Sequence, residues 1–235
     1  MLVFACDHLE IKLPEQHRFP IQKYGLLRKR VQNLKTVKIC YPMKPSRGIL
    51  SRVHSEEYID RIFKGELSTK ELQSIGFPWS TELVQRSLYS VGCTISAALE
   101  SIEGKLSCSL AGGTHHAGYD YGEGFCVFND VAIAVSLLRA KYPEMKILVV
   151  DTDVHQGNGT ADLLFNLSDV FTLSLHSARN YPHKKSHSNI DVSFPDGTLD
   201  NQYLGVFSDA LDEAIKSFKA DFVFFLAGAD VFSGD

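Results

Sequence analysis

"KILVVDTDVHQGNG", Lys146 to Gly159, sets a bulky apolar run directly against a string of acidic, histidine and glycine residues. Such a run reads as a buried strand, and the glycines after it mark where the chain turns toward the next element. The same pattern recurs in "LVFAC", "SCSLAGG", "VFTLSLH" and "DFVFFLAG", each closed by small, polar or charged residues. Between these runs, apolar residues recur at helical spacing over Thr81 to Ile102, Phe128 to Leu138 and Leu204 to Phe218, with a shorter helix expected from Asn158 to Leu167. Strand and helix alternate, which predicts the α/β class with a predominantly parallel sheet flanked by helices. Ahead of that core, "KLPEQHRFPIQKY" reads as an irregular loop feeding a helix from about Pro20 to Asn33, and His17 within it as a surface histidine. A further helix is expected to open at Ser55, where Ser-Glu-Glu suits an N-terminus.

The chain has 235 residues, 44% of them hydrophobic and 22% charged, enough to bury a substantial core, and one domain over 1–235 is the simplest reading. With 24 basic against 28 acidic residues the formal charge is -4, so no direct nucleic acid binding is expected. The cluster Arg28-Lys29-Arg30 then reads as a solvated helix face. Cys6, Cys40, Cys93, Cys108 and Cys126 form no Cys-x-x-Cys pair, which suggests neither a disulfide framework nor a thiolate zinc site and fits a reducing, cytoplasmic setting. "MLVFAC" is cut short by Asp7, too brief for a leader or a membrane span.

In open parallel sheets ligands gather outside the carboxyl ends of the strands. There the sequence places Asp151, Asp153 and His155 after one apolar run and Asp230 after another. Asp153 and His155 alternate with Asp151 along an extended segment, which puts carboxylate and imidazole on one side. Asp and Gly after a strand also suit a turn and the cap of the next helix. Joined by Asp230, the pair makes three protein ligands with a fourth position open, the pattern of a catalytic rather than a structural zinc. In "AGGTHHAGYDYGEGF", Ala111 to Phe125, the adjacent His115 and His116 point to opposite sides of an extended chain, so they read as two proton-handling groups. Asp151 and Asn158 are the nearest acceptors for their far nitrogens. Gly124 permits close backbone approach, and Phe125 is either a channel wall or a packing residue. Cys126 reads as a buried thiol, and His183 and His187 as a solvated loop.

Taken together, "HHAGYDYGEGFCVFNDVAIA", "DTDVHQGNGT", "LSLHSARNYP" and "AGAD" resemble the zinc-dependent histone deacetylase family, especially its class IV and bacterial, acetoin-utilisation-type members. The resemblance runs from "HRFP" through "VHSEEYIDRI" to the final residues. It implies the arginase–deacetylase fold and hydrolysis of an N-acyl-lysine or similar amide, with an acyl-lysine protein, peptide or small acylated amine as partner. It implies that Asp153, His155 and Asp230 hold Zn2+, or another divalent metal such as Fe2+. His115 and His116 match the tandem catalytic histidines, Asp151 the acidic partner of the first, and Asn158 a position held by Asp or Asn. Phe125 matches one wall of the acyl-lysine tunnel, and Tyr181 the opposite one. A structural K+ is implied at Asp151, Asp153, His155, Ser174 and Leu175.

The sequence departs from the family in one respect. The family's catalytic tyrosine lies in a glycine-rich loop well beyond the third metal ligand, whereas this sequence ends at Asp235. Loss of such a carbonyl-polarising donor typically costs ~10²–10³ in turnover. The expectation is therefore a C-terminally incomplete catalytic domain without its last strands and helices. Its bare sheet edge would invite self-association. A catalytically silent metal-binding or interaction fragment is the alternative. An arginase-type ureohydrolase is a lesser one, because two bridged manganese ions need more carboxylates than these strings supply.

Overall fold

In the computed structural model of the chain, residues 1–234 are described, and they form two compact units that divide after Leu138. The strands are parallel, as the alternating pattern requires, but they divide into two sheets rather than one. In the first unit β1 (Leu2–Phe4) lies between β2 (Lys38–Cys40) and β3 (Ser107–Ser109). In the second, β4 (Ile147–Asp151) and β5 (Val170–Ser177) are central, flanked by β6 (Ile190–Phe194) and β7 (Phe222–Leu226) in the order β6-β5-β4-β7.

The helices of the first unit are α1 (Lys23–Val31), α2 (Arg47–Leu50), α3 (Glu56–Lys64), α4 (Thr69–Ile75), α5 (Thr81–Glu100) and α6 (Asp130–Lys141), the last running across the unit boundary. α5 packs against β1 and β3, where Phe4, Cys6, Cys93, Ala97 and Ala111 form one core cluster. α6 is apolar on nearly every side and correspondingly buried at Val131 to Val135 and at Leu138. In the second unit α7 (Asn158–Leu164) and α8 (Asp200–Phe218) pack on β5, and α8 also on β6. Leu148, Val150, Leu173 and Leu175 meet Phe194, Ala210 and Ala214 there.

Every residue of β4 is buried, the mark of a strand covered on both faces. Full burial of each large aliphatic side chain is worth roughly 1.5–3 kcal/mol, so this strand is a firm anchor for the acidic string at its carboxyl end.

Four elements, the short helix α2 among them, were not expected from the sequence. β2 is a three-residue edge strand and β6 a five-residue one, both too short for a strong signal. Helix α4 was not expected, although its ends carry local signals: Ser68 and Glu71 form a reciprocal capping box, and Gly76 closes the helix with a left-handed φ of 82°. Ser55 caps α3 as expected, its side chain accepting the Tyr58 N–H at 3.1 Å. Arg28 departs from the solvated-face reading, since it reaches back to Asp7 at 2.6 Å while Lys29 and Arg30 stay exposed. No helix among the described residues is long and apolar enough to cross a membrane.

Candidate active site

The three carboxyl-end residues of the second unit converge. Asp153, His155 and Asp230 each offer a ligand atom, and these atoms lie within 4.8 Å of one another. His155 Nδ1 stands 3.0 Å from Asp153 Oδ1 and 3.1 Å from Asp230 Oδ2. The alternation that suggested this pairing is not what makes it. Beyond Asp151 the chain leaves the strand, and the His155 N–H donates to Asp153 Oδ1 at 2.8 Å in a side-chain-closed turn. The turn reading thus holds for Asp153, and its carboxylate also stands among the three converging donors.

Main-chain donors fix the other carboxylates. The Asp153 N–H donates to Asp151 Oδ1 at 3.1 Å, and the Val154 N–H to Asp230 Oδ1 at 3.0 Å. The strand register holds the frame: β7 pairs with β4 as Asp151 opposite Leu226, and the Thr152 N–H then bonds the Leu226 carbonyl at 3.0 Å. Hydrogen bonds to Asp153 and then Asp230 push His155 up to about 9. One imidazole and two carboxylates converging in this way are a donor set that suits zinc.

Gly228 lets this arrangement close. A Cβ on Gly228 would overlap the Asp153 backbone, so no side chain fits where the Asp230 loop passes the Asp153 turn. Gly228→Ala is expected to cost roughly 1–3 kcal/mol through overpacking and to weaken zinc binding by at least about 10-fold with all three ligands intact. Isothermal titration with zinc, beside a denaturant curve, checks both figures.

Around the triad, the Tyr181 ring stands edge-on to His155 at 6.4 Å between centroids. Asn158 opens α7, Ser174 lies opposite Asp151 in the β4–β5 register, and Leu175 follows it on β5. His183 and His187 are exposed, as their loop suggested.

In the first unit His115 and His116 are 3% and 4% exposed, with ring centroids 4.1 Å apart. Their loop is held by residues to which the sequence pattern assigned no role. Asp130, fully buried at the start of α6, accepts from Gly113 N–H at 3.1 Å, Thr114 N–H at 2.7 Å and the Thr94 hydroxyl at 2.5 Å. Thr114 Oγ lies 2.6 Å from both Asp130 Oδ1 and the Phe128 carbonyl, with one proton to share. Asn129 caps α6 through the Ala132 N–H at 2.9 Å, and its Nδ2 donates to the Ala117 carbonyl at 3.1 Å and the His115 carbonyl at 3.5 Å.

Behind the loop sits His54, 1% exposed, with Nδ1 2.8 Å from the Gly118 carbonyl and Nε2 3.0 Å from the Asn129 N–H. Burial pushes this imidazole down to about 4 from 6.5. Above pH 6.5 it is neutral folded or unfolded and has no effect on stability. As pH falls from 6.5 to 4 the unfolded chain takes up a proton that the folded chain refuses, and stability drops by about 3 kcal/mol in total. Urea unfolding at pH 7 and pH 4.5 should show this loss in wild type and a shallower one in His54→Asn.

The Gly124–Phe125 corner hangs on α4, a helix that the apolar periodicity did not predict. The Gly124 and Phe125 N–H groups donate to the Ser74 and Ile75 carbonyls at the end of α4, at 3.0 and 2.8 Å. Phe125 adopts a positive φ of 66°, unusual for an aromatic residue, and its ring covers Gly76 where a Cβ would otherwise stand. The half-buried ring packs against Phe19 and Phe77, and the Arg18 guanidinium lies 5.6 Å from its centroid. His17 is no free surface residue: Nε2 donates to the Gly76 carbonyl at 2.8 Å, Nδ1 accepts from the Phe19 N–H, and the ring stacks on Phe77. A small pocket opens beside this cluster, lined by Phe19, Tyr24, Phe77, Arg86 and Phe125 among others. Cys126 is buried, as its apolar neighbours implied.

Residues 16–235 match the histone deacetylase domain, and the chain belongs to that family. A protein of Picosynechococcus sp. is 40% identical over 237 residues, covering all of this chain and 79% of its own length. Histone deacetylase 8 of Xenopus tropicalis is 27% identical over 99% of this chain and 68% of its own, and the acetoin utilization protein AcuC of Staphylococcus xylosus is 27% identical over 97% and 66%. The chain therefore spans about two thirds to four fifths of the length of these relatives. Among solved structures, an HDAC homolog from Aquifex aeolicus superposes with a TM-score of 0.82 at 22% identity, covering 95% of this chain and 67% of that one, and shows the shared arginase–deacetylase fold.

Proposed function

We propose that this protein is a metal-dependent hydrolase that removes an acetyl or longer acyl group from an N-acyl-lysine or a similar amide. The observation that carries the proposal is the convergence of Asp153, His155 and Asp230 into a three-ligand set, and membership of the histone deacetylase family supports it. Zn2+ is the ion this set suits best, with Fe2+ accepted by the same nitrogen and oxygen donors. When bound, such an ion would supply Lewis acidity and lower the pKa of a water to near neutrality.

The tandem histidines handle the protons. His115 acts as base or electrostatic partner while water adds to the acyl carbonyl, and His116 delivers a proton to the departing amine nitrogen. Asp151 and Asn158 orient the imidazoles, and Gly124, Phe125 and Tyr181 line the acyl-lysine chain. Asp151, Asp153, His155, Ser174 and Leu175 hold a structural K+. A single catalytic domain over 1–235 acting in the cytoplasm on an acylated protein, peptide or small amine completes the reading.

A turnover assay across acyl-lysine peptides and acetylpolyamines, run with and without a zinc chelator, tests it. Activity that disappears with the metal and returns on adding zinc is the expected result. Activity indifferent to confirmed metal loss would overturn the mechanism, and a folded, metal-loaded protein inactive on every substrate would favour the silent metal-binding alternative.

A further inference from the structure

The two ring nitrogens of His54 face main-chain groups of opposite kind. A carbonyl only accepts and an amide N–H only donates, so the Gly118 carbonyl and the Asn129 N–H together fix the ring proton on Nδ1. The ring is packed at 5.4 Å from Phe128 and 5.8 Å from Tyr58, between centroids, which leaves it no other seat. One of its partners lies just past His116 in the chain. The other is the residue whose side chain grips the His115 and Ala117 carbonyls.

We propose that His54 is a positioning residue for the tandem histidines, holding the His115–Gly118 main chain through Gly118 and Asn129 as a neutral Nδ1–H imidazole. The proposal rests on the reading that His115 and His116 move protons during acyl-amide hydrolysis. An aliphatic side chain at position 54 leaves a buried carbonyl and a buried N–H unpaired, and the loop can satisfy them only by turning its peptides. Ala117 is fully buried and the Tyr121 ring occupies the space beside Gly118, so a turned peptide carries His116 with it. A displacement of the order of 1 Å at a proton-transfer group costs about 10²-fold in rate.

Three variants separate the two bonds. Asn superposes an amide N–H on Nδ1 and keeps the Gly118 bond, Gln superposes a carbonyl on Nε2 and keeps the Asn129 bond, and Leu keeps neither. His54→Leu is expected to lose about 10²-fold in kcat with KM and zinc content unchanged, and His54→Asn and His54→Gln should each recover part of that loss. Wild-type kcat in His54→Leu overturns the proposal. Should that variant not fold, wild-type kcat in both His54→Asn and His54→Gln overturns it equally. Nitrogen-15 NMR of the wild-type imidazoles supplies a readout free of turnover. His54 should appear as the Nδ1–H tautomer at pH 7, and the His115 and His116 ring resonances should shift in His54→Asn. An Nε2–H or charged His54, or unmoved tandem-histidine resonances, overturns the proposal even if the wild-type protein turns over none of the acyl substrates, an outcome that would sink the functional reading instead.

Discussion

His116→Ala is expected to lower turnover of an acyl-lysine substrate by about 10²–10⁴-fold while zinc stays bound, the range that a positioned general acid or base contributes. The metal should be indifferent because the proposed ligands Asp153 and Asp230 accept main-chain N–H bonds from His155 and Val154, none of which involves His116. His115→Ala should also be damaging, and the double variant should cost far less than the product of the two, since residues that act as one unit are not additive. His116 is buried, so the substitution also removes packing. Thermal unfolding of the variant separates that effect, and metal analysis confirms that the ion remains. Activity within a factor of three of wild type, in a folded and zinc-loaded variant, would remove His116 from the mechanism.

The range of each interaction decides whether the sequence displays it or hides it. The buried strands were legible because each is an uninterrupted apolar run bounded by punctuation, and β4 is the clearest case. The convergence of Asp153, His155 and Asp230 was legible because parallel strands deliver their carboxyl ends to one edge, and β4 and β7 are neighbours in register. The local means of pairing Asp153 with His155 was misjudged: a turn closed by a side chain produces the same juxtaposition as an extended segment, and spacing alone does not separate them. The division of the strands into two sheets depends on which edges pair, and no residue pattern within a strand encodes that.

The support behind the tandem histidines was hidden for a different reason. His54, Asn129 and Asp130 are distant from His115 in sequence and become relevant only through main-chain hydrogen bonds, which any polar residue of suitable reach can make. One signal was available. Asn-Asp at the head of the apolar helix α6 reads as an N-terminus, and a carboxylate buried there must find donors.

That requirement gives the largest stability effect expected in the molecule. Asp130→Ala should destabilise the fold by roughly 3–5 kcal/mol, because it removes a fully buried carboxylate that holds the Gly113 and Thr114 amides and the Thr94 hydroxyl together. Charge-assisted bonds of this kind are worth about 1.5–3 kcal/mol each, and no neighbouring acceptor replaces a missing carboxylate for two adjacent amides. Gly112 sharpens the point, since a Cβ there would strike Asp130 Oδ2 and Thr94 Oγ, so the loop is packed onto the carboxylate. Asp130→Asn keeps the shape and one acceptor oxygen, and should lose only about 1–3 kcal/mol. Its amide NH2 then meets one hydroxyl, of Thr94 or Thr114, which can rotate to accept, and one main-chain N–H, of Gly113 or Thr114, which cannot. Guanidinium unfolding of the metal-free protein measures both variants without interference from ligand binding. A loss below about 1 kcal/mol in Asp130→Ala, no more than one ordinary hydrogen bond, would mean that the loop carrying His115 and His116 is held from elsewhere.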